Sequence, residues 1–206
     1  MYIPSYFKIQ NPAIALEFIR SHSFGMLISC SESGPEITHI PFIIKDPEKS
    51  SETELELLFH VAGANPHPSA GRAMAVFQGP HAYISPSWYE QSNSVPTWNY
   101  IAIHASGVLE PVEDSNSMQE IMDATVSKYE LDPSAWSIDW ENPYMEKMLS
   151  GVRCFRLKVD LLEGKAKLSQ NHSEERRRRV IKQLQKGNEM DGEVARLMEI
   201  ELEAQK

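Results

Sequence analysis

Cysteine is scarce in this sequence of 206 residues, which contains only Cys30 and Cys154. Both lie in apolar, strand-like runs without ligand-like spacing, so we expect two buried free thiols rather than a disulfide or a metal site. No stretch approaches the run of about twenty apolar residues that a membrane helix needs. The opening residues, MYIPSYFKIQNP, lack a basic segment followed by an apolar one, so no secretory signal is expected. These absences predict a soluble, cytoplasmic protein.

An excess of positive charge is also missing, because the formal net charge is −9 at pH 7. Residues 172–206 contain eight Lys or Arg and eight Asp or Glu, so residues 1–171 carry the whole −9. This balance argues against coating nucleic acid by bulk electrostatics, and a DNA contact would have to be local. The run Arg176–Arg179 points in four directions on a helix, and Glu175 with Arg179 forms an i,i+4 pair. The run therefore predicts a solvated helix face.

The standard catalytic loops are absent as well. Neither G-x-G-x-x-G nor G-x-x-x-x-G-K-[ST] occurs, which argues against the common nucleotide-binding loops. There is no H-E-x-x-H motif or His/Cys cluster, so no metal site is expected and the strand histidines are interpreted as structural. Ser85, Ser87 and Ser169 lack a G-x-S-x-G context, which argues against a serine hydrolase.

The sequence does contain many short strand-like segments, followed by helices gathered late in the chain. The predicted strands are Phe24–Cys30, Glu36–Ile44, Glu54–Val61, Arg72–Gln78, Asn99–Val112, Val152–Leu162 and Lys165–Leu168. The predicted helices are a first helix from Asn11-Pro12 through Arg20, Asp114–Tyr129, a short helix opened by Asn142-Pro143, and two helices within Ser173–Lys206 broken at Gly187 and Asp191-Gly192. This order favours an α+β, mainly antiparallel β architecture with peripheral helices over βαβ units. We expect a single domain over residues 1–206, with a core at 1–171 and a helical extension at 172–206.

The segment Gly79–Tyr100 is unusually aromatic for a predicted loop. Its sequence, GPHAYISPSWYEQSNSVPTWNY, combines five Tyr and Trp rings with hydroxyl, amide and imidazole groups. Rings for stacking beside polar groups are what a planar heteroaromatic ligand needs. The same rings could instead cap one end of a barrel or cover a subunit interface, and residue chemistry alone leaves both interpretations open.

A second candidate is the segment FHVAGANPH at Phe59–His67, which passes from strand to loop through small residues. Ala62, Gly63 and Ala64 keep side chains away, so that backbone N–H groups could approach an anion. Asn65 then stands as a cap before a proline. Small residues at a strand end also suit an ordinary tight turn, and taken alone the pattern favours the turn.

Six motifs occur in a fixed order along the chain: MYIPSYF at 1–7, THIPF at 38–42, FHVAGANP at 59–66, FQGPHAYISPSWY at 77–89, VPTWNY at 95–100 and GKAKLSQNH at 164–172. This order resembles the PaiB family of FMN-binding negative transcriptional regulators. The resemblance implies an FMN-binding split β-barrel related to pyridoxamine-phosphate oxidase-like proteins, paired as a homodimer with flavin at the interface. It also implies repression of protease production and of sporulation.

The resemblance further implies a set of cofactor-binding residues. These are His39, Ile40, Pro41, His60, Ala62, Asn65, Trp98, Asn99 and Gln170. We expect the FMN phosphate near the Ala62–Asn65 backbone and the ring near His39–Pro41. The remaining three residues, Trp98, Asn99 and Gln170, would close the pocket from the partner subunit or from a returning strand.

One departure from the family pattern concerns the phosphate. The family usually has a basic residue within its H-x-A-x-A-N motif, where this sequence has Gly63. If that side chain helps to hold the phosphate, its loss weakens FMN binding. Arg72, Lys165 and Lys167 are the candidates for a substitute counter-charge.

Two classes of function follow. In the first, the protein is a regulator in which the flavin is a sensor or a structural ligand. In the second, it is a flavin- or haem-handling oxidoreductase of the same superfamily, and regulation is an indirect effect. The sequence does not contain a helix-turn-helix pattern, and its acidity favours indirect or protein-mediated regulation.

Overall fold

The computed structural model describes residues 1–32, 34–45, 55–67, 70–90, 94–132 and 134–204. Its strands are β1 Phe24–Ser31, β2 Gly34–Pro41, β3 Ile43–Ile44, β4 Glu56–Ala62, β5 Gly71–Ile84, β6 Thr97–Val112 and β7 Val152–Lys167. Its α-helices are α1 Pro12–Ser21, α2 Ser115–Tyr129, α3 Pro143–Leu149, α4 Glu174–Leu184 and α5 Glu189–Ala204. Short 3₁₀ turns occur at Ser5–Phe7 and Pro86–Tyr89. The strands form one sheet with the hydrogen-bonded order β2-β1-β5-β6-β7-β4-β3.

The chain divides into two compact units. The first unit contains Met1–Ala15, Gln78–Ile103 and Glu163–Lys206, and the second contains Leu16–Phe77 and His104–Leu162. The long strands β5, β6 and β7 contribute residues to both units. The C-terminal helices thus cluster with the N-terminal residues and with one end of these strands.

Three helices begin where their polar caps predict. The Asn11 side chain accepts a hydrogen bond from the Ala13 amide at 3.0 Å, next to Pro12 at the first helical position. Asp114 accepts from the Ser117 amide at 2.9 Å at the start of α2, and Asn142 accepts from the Tyr144 amide at 3.0 Å at the start of α3. Each cap satisfies an N–H group that the helix itself leaves unpaired.

An aromatic cluster forms the centre of the second unit. Phe42 lies edge-on to Phe59 and Phe77, with ring centroids 5.1 and 5.2 Å apart, and Phe59 stacks on Phe155 at 5.5 Å. All four rings are at most 2% exposed. β4 and β7 supply two of these rings because the two strands pair antiparallel with Phe59 opposite Phe155.

Several strands differ in extent from the sequence prediction. β5 runs on to Ile84, so residues 79–84 of the predicted aromatic loop are strand, with Ala82 and Ile84 buried and Tyr83 47% exposed, as period-two alternation requires. The predicted strand Glu36–Ile44 is interrupted at Phe42, whose amide bonds to Ser23 O at 2.8 Å. β7 continues through Gly164, where an added Cβ would lie 2.9 Å from Ile9 Cβ. This glycine therefore allows close packing rather than a turn.

The prediction of two buried thiols was wrong for one of them. Cys30 is exposed because β1 places Leu27 and Ser29 inward, so that the next residue points outward, whereas Cys154 is buried as expected. Burial raises the pKa of the Cys154 thiol to about 11. On α1, Ile14 is 57% exposed, and Ala15, Leu16, Phe18 and Ile19 are buried.

The tail forms the predicted pair of helices in the first unit, with two differences. Val180, Ile181 and Leu184 are buried, and Arg177 is also only 2% exposed, so one of the four arginines is not on a solvated face. No break occurs at Asp191-Gly192. Asn188 and Asp191 exchange side-chain-to-amide hydrogen bonds of 3.0 and 3.1 Å, which caps α5 at its start and places Gly192 inside the helix.

Candidate functional site

The predicted phosphate loop follows β4 in the second unit and is braced by its own backbone. The Gly63 amide donates to Gly151 O at 2.8 Å, and the Asn65 amide donates to Ala62 O at 2.9 Å. The Asn65 side chain accepts from the His67 amide at 2.9 Å. Three N–H groups of this segment are therefore engaged, while Ala62, Gly63 and Ala64 remain exposed to an approaching ligand.

A cation that the sequence analysis did not single out lies against this loop. Arg153 of β7 donates to Asn65 O at 2.9 Å and to His67 O at 3.3 Å, and its guanidinium lies 5.0 Å from the Phe155 ring. Antiparallel pairing places Arg153 opposite Val61, at the end of β4. A guanidinium thus stands beside the loop in which Gly63 replaces the usual basic residue.

His67 is buried at the end of the same loop. Its two ring nitrogens lie 3.0 Å from the Ser29 hydroxyl and 3.1 Å from the Thr38 hydroxyl, and the residue is 3% exposed. Burial lowers the pKa of His67; Glu36 partly opposes this shift and Arg153 adds to it. The imidazole is therefore held neutral while it joins β1, β2 and the loop.

This arrangement predicts a loss of stability in mild acid. Burial lowers the pKa values of His60, His67 and His172 below their ordinary value of 6.5. As the pH falls, these histidines bind protons at a higher pH in the unfolded chain than in the folded protein. Their contribution to the free energy of unfolding is therefore greatest above about pH 6.5 and falls as the pH drops below it. Urea unfolding between about pH 7.5 and pH 5 measures this slope. His67→Asn should flatten it, and an unchanged slope in this variant would show that His67 is not a contributor.

The predicted ring-contacting residues lie on β2, at one end of the strand order. His39 is exposed and stacks against the exposed ring of Phe24, with centroids 6.5 Å apart. Ile40 is 5% exposed, so only its backbone is available to a ligand, and Pro41 is half-buried. His60 is half-buried on β4, where burial lowers its pKa.

Trp98 belongs to an open aromatic cluster in the first unit. Its ring is 5.9 Å from that of His81 and 6.1 Å from that of Tyr83, and the residue is 52% exposed. Lys167 donates to Trp98 O at 2.7 Å and also to the Thr97 hydroxyl. Burial and the nearby charge of Lys165 lower the pKa of Lys167.

Asn99 and Gln170 use their side chains within the first unit. Asn99 is fully buried and donates to Ser169 Oγ at 3.0 Å and to Met198 Sδ at 3.3 Å. Gln170 accepts from the Leu168 amide and donates to Ala166 O, both at 2.7 Å. Both residues brace the turn at Ser169, whose φ of 65° is left-handed. Of the three predicted residues in this unit, Trp98 has the exposed side chain.

The proposed counter-charges all have protein partners. Arg72 forms an exposed pair with Asp160, with one contact of 3.0 Å. Lys165 is 8% exposed, donates to Tyr2 O at 3.2 Å and lies 5.3 Å from the centre of the Tyr100 ring. Arg72, Lys165 and Lys167 thus form their contacts with other parts of the protein. The cation that contacts the loop after β4 is Arg153.

The structure thus places the predicted site residues in two groups. His39, Ile40, Pro41, His60, Ala62 and Asn65 lie in the second unit, and Trp98, Asn99 and Gln170 lie in the first. Within the described ranges, no group of three or more His, Cys, Asp or Glu residues is placed to hold a metal ion. None of the helices in the described part of the chain has both the length and the apolar character that a membrane span requires.

Comparison with known proteins identifies relatives along the whole chain. The family model described as "Putative FMN-binding domain" matches residues 1–161. The chain is 36% identical over 213 aligned residues to "Protease synthase and sporulation protein PAI 2" of Bacillus subtilis, and the alignment covers all of both proteins. It is 26% identical to an uncharacterized protein of Emericella nidulans, covering 88% of this chain and 89% of that one.

Solved structures support the fold. The FAD and haem binding protein of Mycobacterium smegmatis aligns with a TM-score of 0.61 at 11% identity, covering 78% of this chain and 73% of that one. The flavocytochrome Anf3 of Azotobacter vinelandii aligns with a TM-score of 0.57 at 12% identity, covering 80% and 72%. The predicted fold class, a split β-barrel with peripheral helices, is confirmed. The chain belongs to the Putative FMN-binding domain family, and its resemblance to PaiB is confirmed by the match to PAI 2 along its full length.

Proposed function

We propose that this protein is a PaiB-like negative transcriptional regulator that binds FMN and lowers protease production and sporulation. The observation that carries the proposal is the 36% identity to PAI 2 of Bacillus subtilis over the whole of both chains. A match of this extent includes the loop after β4, the strand β2 and the tail, rather than the barrel framework alone. A regulator of this kind acts in the cytoplasm, which is where we place it.

The loop after β4 supports FMN binding through its surface and its charge. The small residues Ala62, Gly63 and Ala64 are exposed, so a phosphate can approach the backbone closely. Arg153 supplies positive charge at the same loop through its contacts with Asn65 O and His67 O. These features fit a phosphate group, and we propose that Arg153 offsets part of the charge lost at Gly63.

The aromatic ring of the flavin needs a flat apolar partner and a polar edge. In the second unit we propose that the strand His39–Pro41 provides this surface, with the His39 ring stacked on Phe24. In the first unit the exposed ring of Trp98 is the candidate for stacking. When bound, FMN would supply redox sensing or structural support, and the protein residues would position and shield it.

Charge favours a regulatory mechanism through another protein over direct DNA binding. The net charge is −9, and the arginine run of α4 is largely engaged. Arg178 pairs with Glu174 at 2.6 Å, and Arg179 pairs with Glu175 at 2.5 Å and donates to Tyr89 O at 3.0 Å. These contacts leave few positive charges of α4 for phosphate groups of DNA.

Genetic complementation tests the regulatory function. Expression of this chain in a Bacillus subtilis strain lacking PAI 2 should lower extracellular protease activity toward the wild-type level. The control is expression of Leu157→Ala, whose core cavity destabilises the protein and should weaken the effect on protease activity. Unchanged protease activity, with the protein present at the level of native PAI 2, would contradict the proposal.

We also propose that the protein is a homodimer. Large apolar side chains remain exposed on the single chain, including Phe24 at 66%, Ile37 at 55% and Trp98 at 52%. A two-fold symmetric interface of more than about 1,000 Å² would remove such surface from water. Light scattering at micromolar concentration should give twice the chain mass, and a monomer mass would contradict this part of the proposal.

A further inference from the structure

A second candidate binding site lies in the second unit, away from the loop after β4. It is a cavity of about 650 Å³ between α2 and the strands β3, β4 and β7. Cavities that hold small organic molecules have volumes of about 300–1,000 Å³. None of the residues proposed for FMN lines it, so the cavity is separate from that site.

The sequence of α2 explains why the cavity exists. Ser117, Ala124 and Ser127 line it, and their spacing of seven and three places them along one face of the helix. These side chains are too short to fill the space between the helix and the sheet. Larger residues of the same helix, Met118 and Ile121, pack on a small apolar cluster with Val112 and Cys154, and Ile121 and Val112 also line the cavity. The cluster thus holds the helix to the sheet at the edge of the cavity.

The lining is apolar at its base and positively charged around it. Ile43, Ile44, Leu58, Val112 and Ile121 supply the apolar surface, and Arg20, Lys45, Lys128 and Arg156 supply the cations. Glu120 is the acidic residue among the lining residues. Neighbouring carboxylates reduce the excess, because Glu17 pairs with Arg20 and Glu56 lies 2.8 Å from Lys45 and 3.7 Å from Arg156. Asp114 also interacts with Arg156, so four cations and four carboxylates share this region, and the lining residues themselves include four cations and one carboxylate.

Two of these cations are placed to receive an acidic group. Lys128 donates to Arg20 O at 2.9 Å, and within the described ranges no carboxylate lies at ion-pair distance from it. Burial and the charge of Arg20 lower its pKa, while Glu17 opposes the shift. Arg156 also lines the cavity, and its ion pair with Glu56 is long, at 3.7 Å. An acidic group of a ligand would give both cations a closer anionic partner.

We propose that this cavity binds a small amphipathic anion, an apolar ring or chain that carries one acidic group. The apolar base receives the ring or chain, and Lys128 and Arg156 receive the acidic group. The proposal does not depend on FMN binding, because the two sites share no residues.

The test uses two dyes with the same aromatic rings. We expect 8-anilinonaphthalene-1-sulfonate to bind with increased fluorescence, and N-phenyl-1-naphthylamine, which lacks the sulfonate, to bind at least about tenfold more weakly. Lys128→Met and Arg156→Met should each weaken sulfonate binding by about tenfold without weakening binding of the neutral dye. The matched control is Lys182→Met, at an exposed position of α4, which should leave both affinities unchanged.

Filling the cavity provides an independent test. Ala124→Trp should abolish binding of both dyes, and Ser127→Phe serves the same purpose if the first variant does not fold. Equal affinity for the two dyes, unchanged sulfonate binding in the Met variants, or retained binding in a folded cavity-filling variant would each overturn the proposal. Displacement of the sulfonate dye by FMN would also overturn it, because the dye would then occupy the flavin site.

Discussion

Gly63→Arg is expected to tighten FMN binding by about ten- to a hundredfold, because a charge-assisted contact to a phosphate contributes about 1.5–3 kcal/mol. Gly63 stands at the position of the family's usual basic residue, in the exposed turn after β4. Its backbone φ does not require glycine, but an added Cβ would lie 3.0 Å from Gly151 O, so the turn must shift by a few tenths of an ångström. Titration of FMN into both proteins, followed by flavin fluorescence, measures the change.

Gly63→Ala is the matched control for this prediction. It introduces the same Cβ against Gly151 O without the charge. FMN affinity should therefore stay within about threefold of the parent protein or fall slightly through strain in the turn. Equal gains in the Ala and Arg variants would show that the turn geometry, not the charge, limits binding. No gain in the Arg variant would place the phosphate elsewhere.

Leu157→Ala is expected to lower the free energy of unfolding by about 2–5 kcal/mol, because it leaves a cavity in a closely packed core. Leu157 lies in β7, opposite Leu57 of β4, and both are fully buried. Leu131→Ala makes the same change at a residue that is 98% exposed, and it should stay within about 0.5 kcal/mol of the parent. Urea unfolding of both variants at one protein concentration gives the comparison. A loss below about 1 kcal/mol for Leu157→Ala would contradict the packing described for this unit.

Features that depend on neighbouring residues could be predicted from the sequence. The starts of three helices followed from Asn11, Asp114 and Asn142, because a cap bonds to an amide two or three residues away. Strand positions were largely correct, since alternation is also a local pattern. The sequence did not always show which residues of a strand face the core. The run FGMLISC is apolar at successive positions, so nothing in it indicated that Cys30 points outward.

Features that depend on strand pairing could not be predicted from the sequence. Arg153 reaches the loop after β4 across 88 positions in sequence, and only the register of β4 and β7 brings them together. The predicted strand Val152–Leu162 carried no indication of which strand would lie beside it. Asn99 and Gln170 matched motifs of the family, yet their burial and bonding became visible only with the turn at Ser169. Register and tertiary packing, rather than local propensity, determine these roles.

The central claim is that this chain binds FMN at the loop after β4, and direct titration of the purified protein tests it. We expect saturable binding of FMN, with a change in flavin fluorescence, and a loss of affinity of at least about tenfold in Arg153→Met. Arg72 pairs with Asp160 on an exposed surface, so Arg72→Met removes one positive charge away from the loop. Comparing FMN affinity in Arg153→Met and Arg72→Met therefore separates a local effect from a general loss of positive charge. Absence of binding at millimolar FMN in both the parent protein and Gly63→Arg would contradict the claim.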